Sequence, residues 1–174
     1  MTALRVFAVV FGAALVQAVL VSALILGGGA PDLLLLVVIS VGLLRGSVPG
    51  AVAGFVGGLV IDLLTLDTLG LSSLVLTLAG FWAGRYAETT ARGRRLPPLL
   101  AAGAITILAA VFAAGLRYLL GEEVVVQQAL VRSLVPTVLL NLVLALPVYA
   151  LVRSAVREQT QMRPVSSSEV EVVV

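Results

Sequence analysis

Asp62 is the first residue to question, because it stands in "GGLVIDLLTLDTLGLSS", Gly57 to Ser73, among leucine, isoleucine, valine and glycine. A carboxylate in such surroundings can form an ion pair, accept a hydrogen bond at a helix end, bind a partner, or couple to an ion or substrate. Little else in the chain could join it in chemistry. There is no histidine and no cysteine, which removes the commonest general base, thiol nucleophiles, the usual zinc ligands and disulfides. Acid–base or metal-assisted work would fall to nine carboxylates. Of these, Asp32, Asp67, Glu88, Glu122 and Glu123 read as loop or helix-end residues. Asp67 is too near the outer turn to make a mid-membrane catalytic pair with Asp62. The chain is therefore expected to be no enzyme and to need no metal or cofactor.

Gly46, Gly50, Gly54 and Gly58 recur at every fourth position, and Asp62 is the next step of that row. In lipid, small residues at this spacing let another helix approach backbone to backbone, where packing must replace the hydrophobic effect. The row is expected to be a packing ridge, either within the chain or for a partner's helix. Gly80 and Gly84 form a second pair. Because Asp62 continues the ridge it should face protein, and Arg117 or Arg132, assigned to the same side of the membrane, are its candidate ion-pair partners. Gln17 and Asn141 are the other mid-span polar side chains. With no titratable neighbour for a proton relay, each is expected to bond to an adjacent helix.

The elements that must position these residues follow from composition. Of 174 residues, 60% are apolar and 11% charged, and the mean hydropathy is +1.17. A soluble domain of this size needs far more charge on its surface, so the sequence reads as an integral, all-α membrane protein. Apolar runs predict six transmembrane segments, at about 4–26, 31–44, 46–66, 68–84, 97–120 and 129–152, followed by a disordered tail over 154–174. Arg5 and "VSA" (Val21 to Ala23) imitate a secretory signal, but the run is longer than a signal core and is taken as a retained span.

Within these segments, Asp32 complements the positive start of the second, with Pro31 in its first turn. Its apolar part is only about 18 Å long, so it is expected to be partly re-entrant or buried among its neighbours. Ser47 is the expected N-cap of segment three and Asp67 that of segment four. Pro136 and Pro147 are expected to kink segment six, and Trp82 and Tyr86 to anchor at the interface.

The arginines orient the molecule. Six crossings place Arg5, Arg45, Arg85, Arg92, Arg94, Arg95, Arg153, Arg157 and Arg163 on one side, and only Arg117 and Arg132 on the other. The positive-inside rule then puts both termini in the cytoplasm. Arg92, Arg94 and Arg95 form a cytoplasmic basic patch suited to anionic lipid or a docking partner. No basic run with interleaved aromatics points to nucleic acid.

Four stretches in order, "PDLLLLVVISVGLLRG" from Pro31, "GFVGGLVIDLLTLDTLGLSSL" from Gly54, "LAGFWAGRYAE" from Leu78 and "LLNLVLALPVYALVR" from Leu139, resemble the MreD family of bacterial rod shape-determining membrane proteins. The resemblance covers about Leu4 to Arg153. It implies a non-enzymatic inner-membrane scaffold of the elongation complex that guides lateral peptidoglycan synthesis. The partner it implies is MreC, with a single membrane helix and a large periplasmic domain, and through the complex MreB, RodA and a class B penicillin-binding protein. The family is also similar in fold to the six-helix substrate-binding subunits of energy-coupling-factor vitamin transporters. A small-solute transporter subunit is therefore the rival reading, and it needs a polar pocket between the helices.

Overall fold

The computed structural model describes residues 2–23, 31–66, 68–90, 98–121 and 126–157. Among these are six helices: α1 Thr2–Ala23, α2 Leu33–Arg45, α3 Ser47–Thr65, α4 Leu71–Thr90, α5 Pro98–Leu119 and α6 Val126–Arg157. The fold is the all-α bundle that the apolar runs predict. Ser47–Thr65, Ala102–Leu119 and Pro136–Ala155 are long and apolar enough to cross a membrane, and Leu4–Val19 and Leu33–Arg45 are shorter apolar stretches.

The centre of the bundle is α2. Its sequence, LLLLVVISVGLLR, is apolar on every face, and a helix with no polar face is stable only when surrounded. Every residue from Leu34 to Gly42 is buried, and α2 packs against all five other helices. Its one interior hydroxyl, on Ser40, is satisfied within the helix by the Leu36 carbonyl at 2.7 Å.

A single residue, Gly46, joins α2 to α3. Its backbone, φ 96° and ψ −179°, lies in a region essentially reserved for glycine, and an added Cβ would also stand 2.8 Å from the Glu88 carboxylate. The chain thereby reverses without a loop.

The most extensive helix contact is that of α3 with α4. Gly50 lies opposite Gly80, Gly54 opposite Leu76, Gly58 opposite Ser73, and Gly84 opposite Ser47, so each step up α3 is a step down α4. At all of these glycines a Cβ would collide with backbone of the facing helix. The Ser73 hydroxyl also donates to the Phe55 carbonyl across the contact, at 2.7 Å. Gly42 of α2 joins the same junction, where its Cβ would lie 2.6 Å from the Gly80 carbonyl oxygen. Gly42 lies on α2, so its contact brings a third helix to the α3–α4 junction rather than extending the row along α3. Gly57 packs elsewhere, against Val10 of α1 and Leu34 of α2.

Boundaries differ from expectation where polar residues extend a helix. Segment four, expected over 68–84, is helical from Leu71 to Thr90, because Arg85–Thr90 has good helix formers and no breaker. Pro31 lies just outside α2 rather than in its first turn. Both Pro136 and Pro147 sit inside the continuous helix α6. Trp82, expected as an interface anchor, is half-exposed and meets Phe81 edge-on.

The α3–α4 contact yields a direct test. Gly54→Ala is expected to destabilise the protein by about 1–3 kcal/mol, because the methyl group meets backbone that cannot rotate away. Gly12→Ala has no atom within 4 Å of the new Cβ, and should be neutral or stabilising by up to about 1 kcal/mol. Thermal unfolding of both variants in detergent checks the contrast.

Candidate functional site

Two of the mid-span polar side chains, Gln17 and Asn141, meet at one place, the start of α2. That helix has 13 residues and is about 20 Å long. Its first turn lies beside Gln17, which is about 18 Å along α1 from Arg5, so α2 begins inside the hydrocarbon rather than at its surface. The first N–H groups of any helix lack partners within it, and lipid supplies none.

Three side chains close this end. The Asp32 carboxylate accepts from the Leu35 N–H at 2.9 Å, as its N-cap position requires. The Leu33 N–H donates to Gln17 Oε1 at 2.8 Å, and the Asp32 N–H donates to Asn141 Oδ1 at 2.8 Å. Gln17 Nε2 completes its own bonding by donating to the Pro31 carbonyl at 3.1 Å. Gln17 comes from α1 and Asn141 from α6, so the start of α2 ties three helices together. Asn141 Nδ2 is less well served, buried without a hydrogen-bond partner, as is the Thr106 hydroxyl of α5.

The α3–α4 hairpin is closed by a carboxylate at each end. Ser47 was the expected N-cap of α3, but Gly46 occupies that position and makes no side-chain cap. Ser47 is already helical, and the acceptor comes from α4 instead. Glu88 Oε1 receives the Ser47 N–H at 2.8 Å and the Ser47 hydroxyl at 2.9 Å. Glu88 lies beyond the apolar part of α4. These two bonds from Ser47, backbone first, hold its carboxyl below the usual carboxylate value, with a smaller contribution from Arg85 at 3.5 Å.

At the opposite end Asp62, 1% exposed, accepts the Gly70 N–H through Oδ2 at 2.8 Å, one residue before α4 begins. Each helix thus lends a carboxylate from near its end to the start of the other, where the helix dipole favours negative charge. Asp62 Oδ1 is buried without a hydrogen-bond partner.

The helix-end hydrogen bond is therefore the role in which Asp62 is seen. Arg117 belongs to α5, which packs on α4, α6 and α2 rather than on α3. The Arg132 side chain lies outside the described residues, as do Asp67, Arg92, Arg94 and Arg95. Glu88 is the functional side chain that sequence reasoning missed. Its signal was the helix-forming run Arg85–Thr90, which carries it back beside Gly46 once α3 and α4 are paired as a hairpin.

A family model described as rod shape-determining protein MreD matches residues 1–158. The chain belongs to the MreD family. Comparisons with curated proteins and with solved structures returned no match, so the likeness in fold to energy-coupling-factor subunits rests only on what the family resemblance implies. MreD is a family of membrane proteins that determine rod shape, and the apolar helices fit that setting.

Two measurements test this MreD-family geometry. Gln17→Leu and Asn141→Leu should each cost about 1–3 kcal/mol, since each strands a part-buried N–H at the start of α2, that of Leu33 or of its N-cap Asp32. Thr106→Val, which removes an unpartnered hydroxyl, should be neutral or stabilising; detergent unfolding of the three variants compares them. The second concerns pH. Glu88 has its carboxyl lowered from 4.5 in the folded state, so its stabilisation is full above that value and lost as pH falls through the lower folded value. Glu88→Gln keeps an acceptor but cannot titrate, and its unfolding temperature should fall less than that of the parent protein between neutrality and about pH 3.

Proposed function

We propose that this chain is a non-enzymatic scaffold of the bacterial inner membrane that holds the membrane helix of MreC and so influences lateral peptidoglycan synthesis. Both termini face the cytoplasm in this reading, and contact with MreB, RodA and a class B penicillin-binding protein is indirect. Membership of the MreD family carries the proposal. The engagement of the bundle's amides supports it over the transporter reading. A solute-binding subunit needs polar side chains turned toward a ligand, whereas Gln17 and Asn141 are bonded to the backbone that opens α2. Gly50, Gly54, Gly58, Gly80 and Gly84 are likewise occupied by backbone within the chain, so a foreign helix would dock on another face.

Brief cross-linking in native membranes, followed by affinity purification and mass spectrometry, tests the assignment. Recovery of MreC, with cross-links from its membrane helix, is the expected result. Recovery of a transport ATPase module without MreC would overturn the scaffold in favour of a solute-binding subunit.

A further inference from the structure

Proline has no N–H to give, so inside a helix it leaves the carbonyl of the fourth residue before it without a donor. Pro147 lies within the continuous helix α6, and the carbonyl it deprives is that of Val143. Neighbouring N–H groups are already taken, because in an α-helix those of Leu146 and Val148 bond the Leu142 and Leu144 carbonyls. Pro136 frees the Arg132 carbonyl in the same way, but Arg132 lies outside the apolar span Pro136–Ala155, where water can serve it. Val143 is about 10 Å along the helix from Pro136 and about 18 Å from Ala155, well inside the hydrocarbon.

This carbonyl faces out of the bundle. Val143 is 75% exposed and Pro147, one turn on, is exposed too, while Asn141, Ala145 and Val152 are buried on the opposite side of α6. Lipid chains carry no hydrogen-bond donor, so a bilayer alone leaves the partial negative charge of this oxygen unmet, at a cost. Its complement is a donor brought by another membrane helix. The surroundings suit a helix as well. Leu139, Val143, Leu146 and Ala150, all exposed, follow at steps of four, three and four residues, the repeat by which one helix packs along another. A second copy of this chain offers little, since Gln17, Thr106 and Asn141 are buried and the Ser40 and Thr77 hydroxyls are bonded within their own helices.

We propose that the outer face of α6 docks a partner's transmembrane helix, one that carries a hydroxyl or amide side chain at the depth of Val143 and donates from it to the Val143 carbonyl. The proposal rests on the scaffold reading, in which that helix is MreC's, and adds the face that receives it and the bond that sets its register.

A photo-cross-linking amino acid in place of Val143 or Ala150 of the full chain, in native membranes, should capture the membrane helix of MreC, identified by mass spectrometry. The same group in place of Val111, 58% exposed on α5, should not. Pro147→Ala returns an N–H to the Val143 carbonyl. It should leave the unfolding temperature in detergent unchanged or higher while lowering partner recovery about five-fold, the worth of one hydrogen bond between helices. Undiminished recovery with Pro147→Ala would overturn the proposal, as would capture at Val143 of lipid alone or of a second copy. MreC captured from Val111 and not from Val143 would keep the scaffold and overturn this face. Capture at Val143 of a different protein, whose membrane helix places a donor at this depth, would keep the face and reject MreC as its occupant.

Discussion

The rest of this bundle depends on one constraint: a helix that starts inside a membrane must have its first N–H groups satisfied by other parts of the protein. With 13 residues, α2 is too short to carry both ends to water. Its start is closed by Asp32 from its own chain entry, Gln17 from α1 and Asn141 from α6. Those bonds fix where α1 and α6 stand. Once α2 is enclosed in this way every face of it meets protein, which is why leucine, valine and isoleucine fill it without an amphipathic pattern.

The hairpin of α3 and α4 solves a different problem by different means. In lipid there is no hydrophobic gain from joining two apolar helices, so close packing and a few polar bonds must hold them. The glycines bring the backbones into contact and the Ser73 hydroxyl bonds across it. Glu88 and Asp62 then pin opposite ends, each at the start of the other helix. Dispersion acts along the length and charge–dipole attraction at the termini, so the register of the pair is set at both ends and along its middle.

Much of this was legible in the sequence because it follows from residue type. The apolar runs specified helices, the shortness of segment two left re-entry or burial among neighbours as its two readings, and Gln17 and Asn141 stood out as amides in lipid. Asp32 was expected to complement the positive start of segment two, with Pro31 already in the first turn, whereas the helix begins two residues later and Asp32 is its N-cap. What was not legible was partner identity over long separations. Asn141 is 109 positions from the N–H it receives, and no local pattern links them. Ser47 is a good capping residue in isolation, yet the residue that closes the start of α3 is Glu88, which becomes available only when the hairpin forms. Arg117 and Arg132 were paired with Asp62 by membrane side alone; the bond that is seen, from the Gly70 N–H to Oδ2, comes from backbone and carries no sequence signature beyond Gly70.

These assignments separate two ways in which the protein could be impaired. The described polar side chains inside the bundle are occupied chiefly with backbone, so changing them acts on folding and therefore on abundance in the membrane. In the proposed scaffold role, binding of a partner draws instead on outward surfaces, where substitution leaves the helix ends closed. A shape defect caused by Gln17→Leu should thus respond to higher expression, whereas one caused at a binding surface should persist in well-folded protein at normal levels. That difference follows from the engagement of the two described intramembrane amides, Gln17 and Asn141, with the backbone that opens α2.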